Sequence, residues 1–403
     1  MSARRLRKLC LPIMSSALKV SVVAPDLAGG GTTRVYLVAN ALQQMGCNVT
    51  VVGPQFGSQL YPPPPPNLKV ISIPASRSLQ YAIALRKILS SIDGDLIYAI
   101  KPRPTSLGTA LLKKTFSKKP VIVDIDDWEM SWFSPYRPNA KQLARDILKP
   151  SGALHNPEHP LYLEWMEHCI NKADGASVTT RFLNQRFGGY YLPNGKDTEI
   201  FDPDRYSPTC SREKYGLANY KVLMFPGTTR PHKGLEDVLA ALDRLNWSDL
   251  RLVVVGGRKP DGYEDELFRR WGRWLIKLPR FPIDEMAGVV AAAHVVVVPQ
   301  REVPTAKAQF PLKLTDGMAM AKPIITTKVG DIPEILTEAG YLVDPQSPAQ
   351  IAEQIAVIFE DLQAANKVGN RARDRCISHY STQSMASRLS SMFNELGISG
   401  MPA

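Results

Sequence analysis

Residues 220–234 read YKVLMFPGTTRPHKG. An apolar run ends at Pro226, the chain turns on Gly227, and Arg230, His232 and Lys233 follow before a second glycine, Gly234. A short apolar run bounded by glycine is the pattern of a strand buried on both faces of a parallel sheet. A helical pattern then runs to about Leu245. Two fixed cations, Arg230 and Lys233, at the start of a helix make a site for a pyrophosphate.

The same strand–turn–helix unit recurs in both directions along the chain. Downstream lie LRLVVVGG (250–257), which enters a glycine turn at Gly256 and Gly257, a helix at 263–274, a strand near 277, the helical stretch DEMAGVVAAAH, and VVVVPQ (295–300). Upstream, KVSVVAP (19–25) leads into GGGTTR (29–34) and an amphipathic helix to about Gln44, followed by NVTVVGP (48–54). Strands are expected at 68–74, 95–100 and 119–126, with helices around 79–91 and 105–115. Buried strands alternating with helices predict a doubly wound parallel α/β sheet, built twice. The last long helices are expected at 347–362 and 382–396.

The 403 residues are enough for two or three domains, and 22% charged with 44% hydrophobic is ordinary for a globular chain. Five scattered cysteines without CxxC spacing point to buried thiols in a reducing compartment, with neither a disulfide frame nor a metal cluster. No run of eighteen apolar residues occurs, and Lys19 interrupts the signal-like opening, so residues 1–18 read as a basic cytosolic leader. The net charge is +11, and residues 1–200 hold 24 Lys and Arg against 14 Asp and Glu. That asymmetry fits a half that meets an anionic surface, or a merely solvated basic face. Lys101, Arg103, Lys113, Lys114, Lys118 and Lys119 cluster there, close in sequence to Trp128, Trp132 and Phe133.

GGGTTR is not GxGxxG, and no acid ends the next strand, so a dinucleotide site is disfavoured. Gly30, Gly31 and Thr32 still offer backbone N–H groups and a helix end to an anion. DIDD (124–127) imitates a metal-binding DxD, and its three acids also read as strand-end residues that hold loops. In FPLKLTDGMAMAKP (310–323), Asp316 sits just before a small-residue run that reads as a helix start. It is either a cap or a hand for a ribose.

LPNGKDTEIFDP (192–203), Lys233 in the GTTRPHKG turn, the glycines at 256–257 and the VVVVP strand together resemble family 4 glycosyltransferases of the GT-B fold. The resemblance covers most of the chain. It implies two Rossmann-like domains facing across a cleft, an acceptor domain (19–203), a nucleotide-sugar donor domain (204–381), and a C-terminal helix from 382 crossing back to the first domain. The family signature E-x7-E places its second acid, the ribose contact, on Asp316. Its first acid falls on Ala308, and its phosphate arginine falls on Thr228, for which Arg230 stands in. PLKLTD fits members with a P-x-K-x-x-[ED] pattern, which makes Lys313 a further donor-site cation. Glu302 or the backbone of the 309–312 turn (Phe310, Pro311, Leu312) takes over the sugar contact. Asp126 falls where many members carry a histidine, and would orient or deprotonate the acceptor.

The resemblance implies a retaining, metal-independent hexosyl transfer from a nucleotide sugar to a hydroxyl, with catalytic Asp126, Arg230 and Lys233. The donor contacts are Gly227, Gly256, Gly257, Phe310, Pro311, Leu312, Lys313 and Asp316; Gly30, Gly31 and Thr32 line the acceptor side. No cofactor is expected beyond the nucleotide sugar. A lipid or lipid-linked acceptor on the inner membrane face suits the basic half, and nucleic acid does not. The alternatives are a nucleotide-sugar epimerase, using Asp126 and His232, and a non-catalytic scaffold with a degenerate donor site.

Overall fold

The computed structural model describes residues 17–29, 31–76, 81–133, 136–149, 152–153, 155–258 and 260–398. Residues 1–16 of the expected leader, and Gly30 of the glycine turn, lie outside them. The chain forms two compact units. One runs to Asn194 and takes up the C-terminal segment from Met385; the other is Gly195–Ser384.

The first unit is built on seven strands: β1 (Lys19–Val23), β2 (Asn48–Gln55), β3 (Lys69–Pro74), β4 (Leu96–Ile100), β5 (Val121–Ile125), β6 (Gly175–Val178) and β7 (Tyr190–Tyr191). Their order is β3-β2-β1-β4-β5-β6-β7 with every neighbouring pair parallel. Val20 faces Val49 on one side and Leu96 on the other, so the Val- and Ile-rich runs lie inside the sheet, where β-branched side chains pack best. The helix Thr32–Gln44 contributes Val35, Val38, Ala39 and Leu42 to the core, and Leu389, Met392 and Phe393 of the C-terminal helix Thr382–Glu395 belong to the same cluster.

The second unit repeats the plan with β8 (Lys221–Pro226), β9 (Leu250–Val255), β10 (Leu275–Leu278), β11 (Val295–Val298), β12 (Ile324–Thr327) and β13 (Tyr341–Val343). The order β10-β9-β8-β11-β12-β13 is again parallel throughout. In each sheet the strand order reverses once, between β1 and β4 and between β8 and β11. A doubly wound sheet opens a crevice at the carboxyl ends of the strands flanking such a reversal. The glycine turn of GGGTTR follows β1, and the GTTRPHKG turn follows β8.

The structure departs from the sequence expectations in three places. The chain leaves the first unit after Asn194 instead of near 203, because Ile200 and Phe201 pack into the core of the second unit. A 19-residue helix, Leu362–Tyr380, stands where no separate helix was expected. Its apolar face is narrow (Ala365, Gly369, Ala372, Cys376), and small residues give a weak periodic signal. The helix around Asp316 begins at Leu312, so Asp316 lies in its second turn and cannot cap it.

Two small residues lie where this new helix meets the helix Leu312–Ala319. Ala321 has φ +52°, a left-handed conformation that costs an L-residue about 1–2 kcal/mol. A Cβ on Gly369 would come within 2.2 Å of the Ala321 carbonyl oxygen. Ala321→Gly is expected to stabilise the second unit by about 0.5–1 kcal/mol after glycine's own entropy cost. Gly369→Ala is expected to destabilise it by about 1–3 kcal/mol through overpacking. Denaturant titrations of the two variants should move the midpoint in opposite directions, and a shift in the same direction would contradict the assigned backbone.

Candidate functional site

The donor-side residues predicted from sequence gather at the carboxyl ends of β8, β9 and β11 in the second unit. After β8 the chain turns at Gly227, passes Thr229 and Arg230, and forms a 3-10 turn over Pro231–Lys233. Gly234 then adopts φ +66°; a Cβ there would lie 2.0 Å from the Pro299 carbonyl oxygen, so the turn tolerates only glycine. The helix that follows, Leu235–Leu245, carries Glu236 and Asp237 in its first turn. Those acids already answer the helix dipole, which leaves the cations of the turn, not the helix end, as the feature that suits an anion.

Lys233 is buried and donates to Gln309 Oε1 at 2.9 Å. Burial, followed by the charges of Lys233, Arg230 and Lys313, pushes the His232 imidazole down to about 3, so the ring is neutral at physiological pH. Beneath the turn, the buried Glu264 carboxylate accepts from Thr229 Oγ1 at 3.0 Å and from Lys277 Nζ at 2.6 Å, which braces it. On the adjacent strand end Gly256 takes φ +144°, and a Cβ on it would lie 3.2 Å from the Gly227 carbonyl carbon. A Cβ on Gly257 would meet Arg280 Nη2 at 2.6 Å. The two glycine turns thus touch because neither carries a side chain.

Lys313 closes the group. Its Cε would lie 2.8 Å from a Cβ on Gly227, and its Nζ stands 5.1 Å from the centre of the Phe225 ring. It makes no ion pair among the described residues. Burial lowers its ammonium to about 8, partly offset by the charge of Asp316 three residues on. Asp316 is buried and pairs with Lys196. Phe310 is buried in the core against Tyr380, with ring centres 5.9 Å apart, so it and the buried Pro311 can offer a ligand only backbone. Leu312 opens the helix. Ala308 is fully buried, and the proposed substitute Glu302 is exposed and paired with Lys307 at 2.7 Å.

In the first unit the candidates gather at the β1–β4 reversal. The Thr32 hydroxyl is turned inward, donating to the carbonyls of Asp26 and Gly29 at 2.8 and 2.7 Å, so it shapes the turn. Gly31 precedes the helix, and a Cβ on it would lie 3.3 Å from Lys101 Cε. Lys101, at φ +70°, pairs with Asp126 at 2.8 Å and with Glu129 at 2.9 Å. Arg103 joins at 2.6 Å from Glu129 and also pairs with Glu158. Burial disfavours the Glu129 carboxylate, but Lys101 and Arg103 outweigh it and hold the group below the usual carboxylate range. Asp126 is thus an ammonium-held carboxylate beside the Gly31 turn, able to orient a hydroxyl by accepting its hydrogen bond. Asp124 is purely internal, bound to Arg34 Nε and Nη2 at 2.8 and 2.7 Å and to Ser177 Oγ at 2.5 Å.

Most of the basic cluster expected to face an anionic surface is engaged by partners within the first unit, some of it still part-exposed. Besides Lys101 and Arg103, Lys114 pairs with Asp174, Lys119 with Asp95, and Lys113 donates to the Leu89 carbonyl. Trp128 is likewise engaged, with its Nε1 on Glu167 and Arg186 over its ring. These partners lie far along the chain from the cations they engage, so the pairing leaves no local trace in the sequence. The side chains of Lys196, Gln309, Glu264 and Lys277 carry no local signal of their partners, although Lys196 lies inside the quoted LPNGKDTEIFDP stretch.

Comparison with known proteins bears on both units. The model of the family described as Glycosyltransferase Family 4 matches residues 28–200, and that described as Glycosyl transferases group 1 matches residues 220–361. The D-inositol 3-phosphate glycosyltransferase of Corynebacterium glutamicum is 29% identical over 252 residues, 57% of this chain and 59% of that protein. A GDP-mannose-dependent alpha-(1-6)-phosphatidylinositol monomannoside mannosyltransferase of Mycolicibacterium smegmatis is 24% identical over 332 residues, 74% of this chain and 84% of that protein. The chain spans about half the length of several curated relatives it matches. Among solved structures, Anabaena Alr3699/HepE, in complex with UDP and glucose, aligns over 94% of this chain and 99% of its own with a TM-score of 0.69 at 16% identity. Sucrose-phosphate synthase from Thermosynechococcus elongatus aligns over the same shares with a TM-score of 0.70 at 18% identity. These likenesses, and the two parallel sheets of seven and six strands, give the fold as GT-B. The chain belongs to the group 1, family 4 glycosyltransferases.

Proposed function

We propose that this protein transfers a hexose from a nucleoside-diphosphate sugar to an acceptor hydroxyl, with retention of configuration and without a metal ion. The observation that carries the reading is the wall at the ends of β8 and β9. Arg230, Lys233 and Lys313 surround a neutral His232, and Asp316 stands on the same helix as Lys313. Fixed cations held partly out of water interact strongly with a diphosphate, and more so as charge develops on the leaving group. Asp316 would accept from ribose hydroxyls. The glycines at 227, 256 and 257 leave room for backbone to approach the nucleotide. The acceptor would lie against the first unit, near Gly31 and Asp126. The UDP and glucose held by Alr3699/HepE support a nucleotide sugar as donor.

A lipid or lipid-linked acceptor at a membrane face is the reading favoured by a different surface from the one expected. Among the described residues, no helix is long and apolar enough to cross a membrane. The helix Ala140–Leu148, however, buries none of its residues, and Leu148 is 72% exposed. Lys141 and Arg145 are exposed on it, and Trp132 and Phe133, also exposed, precede it in the chain. Apolar and cationic side chains together on an unburied helix suit an anionic lipid interface. The phosphatidylinositol monomannoside named for the Mycolicibacterium relative is consistent with such an acceptor.

A thermal-shift series with UDP, GDP, ADP and their sugar conjugates tests the donor site. One diphosphate family should raise the melting temperature by mass action, and Asp316→Ala should remove the response. Lys233→Ala should abolish transfer in an enzyme but only weaken binding in a scaffold. No response to any nucleotide would favour the scaffold.

Lys313 gives the donor site a pH dependence. Its folded-state value, about 8, lies below the unfolded one, so the ammonium in the empty site is lost as pH rises through that value. A nucleoside diphosphate that stabilises the protein, its own phosphates already ionised in this window, is therefore expected to bind progressively more weakly from pH 7.5 to 9.5. Lys313→Met should bind more weakly at pH 7.5 and show a flatter profile over that window, as read by isothermal titration. The linked stability effect has the opposite sign: between about 8 and the normal lysine value the unfolded chain holds more protons, so this residue's contribution to stability increases with pH. A profile unchanged by Lys313→Met would remove Lys313 from the site.

A further inference from the structure

We infer that Lys196 is a positioning residue of the donor site, which holds Asp316 for the ribose and keeps it from neutralising Lys313. The inference rests on the nucleotide-sugar reading of that site. Lys196 is fixed from both ends. Its backbone N–H donates to the Tyr380 carbonyl at 2.7 Å, and its carbonyl accepts from the Thr382 N–H at 3.0 Å, in a parallel bridge to Ser381. Its ammonium stands 3.3 Å from the centre of the Phe201 ring and pairs with Asp316 Oδ1. A lysine usually gives up much rotamer freedom on forming an ion pair; here the clamped backbone and the ring have already restricted it.

The consequence for Asp316 is geometric. Oδ1 is taken by Lys196, and Oδ2 accepts no hydrogen bond among the described residues, which leaves one oriented oxygen for a ribose hydroxyl. The consequence for Lys313 is electrostatic. Lys313 and Asp316 are three residues apart on one helix, the spacing at which an acid and a base pair across a turn. Lys196 satisfies Asp316 from another segment of the chain, so Lys313 stays beside Gly227 and Phe225 instead of closing on its helical neighbour. An aliphatic residue at 196 would leave Lys313 as the carboxylate's nearest partner.

The test compares the nucleoside diphosphate that stabilises the wild-type protein with its 2′,3′-dideoxy counterpart. A carboxylate oxygen aimed at a ribose hydroxyl should favour the ribonucleotide by on the order of tenfold or more. Lys196→Met should lose that preference and bind the two with similar affinity, Asp316→Asn should lose it too, and Lys196→Arg should restore most of it. A role in stability alone would lower the melting temperature of Lys196→Met without changing the ribose preference, and that result would overturn the inference. So would loss of preference in Lys196→Met alongside its retention in Asp316→Asn. Should Lys196→Met fail to fold, Lys196→Gln takes its place: a neutral amide cannot hold the carboxylate against Lys313, and an unchanged preference would again overturn the inference. If the wild type binds a diphosphate but ignores the ribose hydroxyls, this inference falls and the diphosphate site stands. If it binds none of the nucleotides, the donor reading falls as well.

Discussion

The buried pair of Arg34 and Asp124 is the constraint on which the first unit depends. Both side chains are almost wholly removed from water, and the guanidinium grips the carboxylate through two hydrogen bonds. Its remaining donors reach Asn194 Oδ1 at 2.9 Å and the Leu192 carbonyl at 3.0 Å, while Ser177 and Tyr98 extend the network on the Asp124 side. One interaction thereby fixes the first turn of the helix after β1, the end of β5, β6, and the segment by which the chain leaves the unit. A buried ion pair earns little net stability over an apolar core of the same shape, but breaking one partner costs about 3–5 kcal/mol. Its value here is register: the glycine turn and Asp126, one residue beyond β5, are held where Asp124 holds them.

The same exit segment carries a second, largely buried pair. Two residues after Asn194, Lys196 meets Asp316 in the second unit's own core region. The first pair is saturated with hydrogen bonds and closed to ligands. The second leaves one carboxylate oxygen without a partner among the described residues and sits beside a lysine whose charge burial disfavours. Saturated pairs specify a fold, whereas under-satisfied ones mark places where a ligand completes the bonding.

Much of the fold was legible in the sequence because parallel sheets write themselves plainly. Strands such as LRLVVV and VVVV are apolar on both faces, and the parallel architecture follows from them, while the strand order and its two reversal points are given by the structure. The candidate site is legible in the sequence as glycine turns and charged residues, but not as the contacts among them. Gly227, Gly234 and Gly256 were readable because a side chain would collide there; the partners of the charges were not. Lys101, Arg103, Lys114 and Lys119 look solvated in sequence, yet each meets an acid distant along the chain. Asp316 reads in the sequence as a helix start, whereas it lies in the second turn of the helix Leu312–Ala319, three residues from Lys313. The turn chemistry of Phe310 and Pro311 was overlooked in favour of the small residues beyond it. The helix Leu362–Tyr380 escaped notice because its contact with the helix Leu312–Ala319 is made through glycine and alanine, which carry little hydrophobic signal.

The replacement of the first signature acid by Ala308 invites the view that the donor site has decayed, but the charge arrangement argues otherwise. Ala308 is packed without exposure, and the neighbouring Gln309 gives Lys233 a neutral acceptor where a carboxylate would have supplied a counter-charge. An alanine at 308 contributes no negative charge beside the turn that holds Lys233. Lys313 is kept where burial penalises its charge, and the Glu264 carboxylate is committed to Thr229 and Lys277 below the turn. Holding cations partly out of water is costly, and a site released from ligand binding gains stability by exchanging them for apolar residues. Arg230, Lys233 and Lys313 remain together around one turn. An arrangement that lacks the acid and keeps the cations is suited to a ligand that brings its own negative charge, and a nucleoside diphosphate does so.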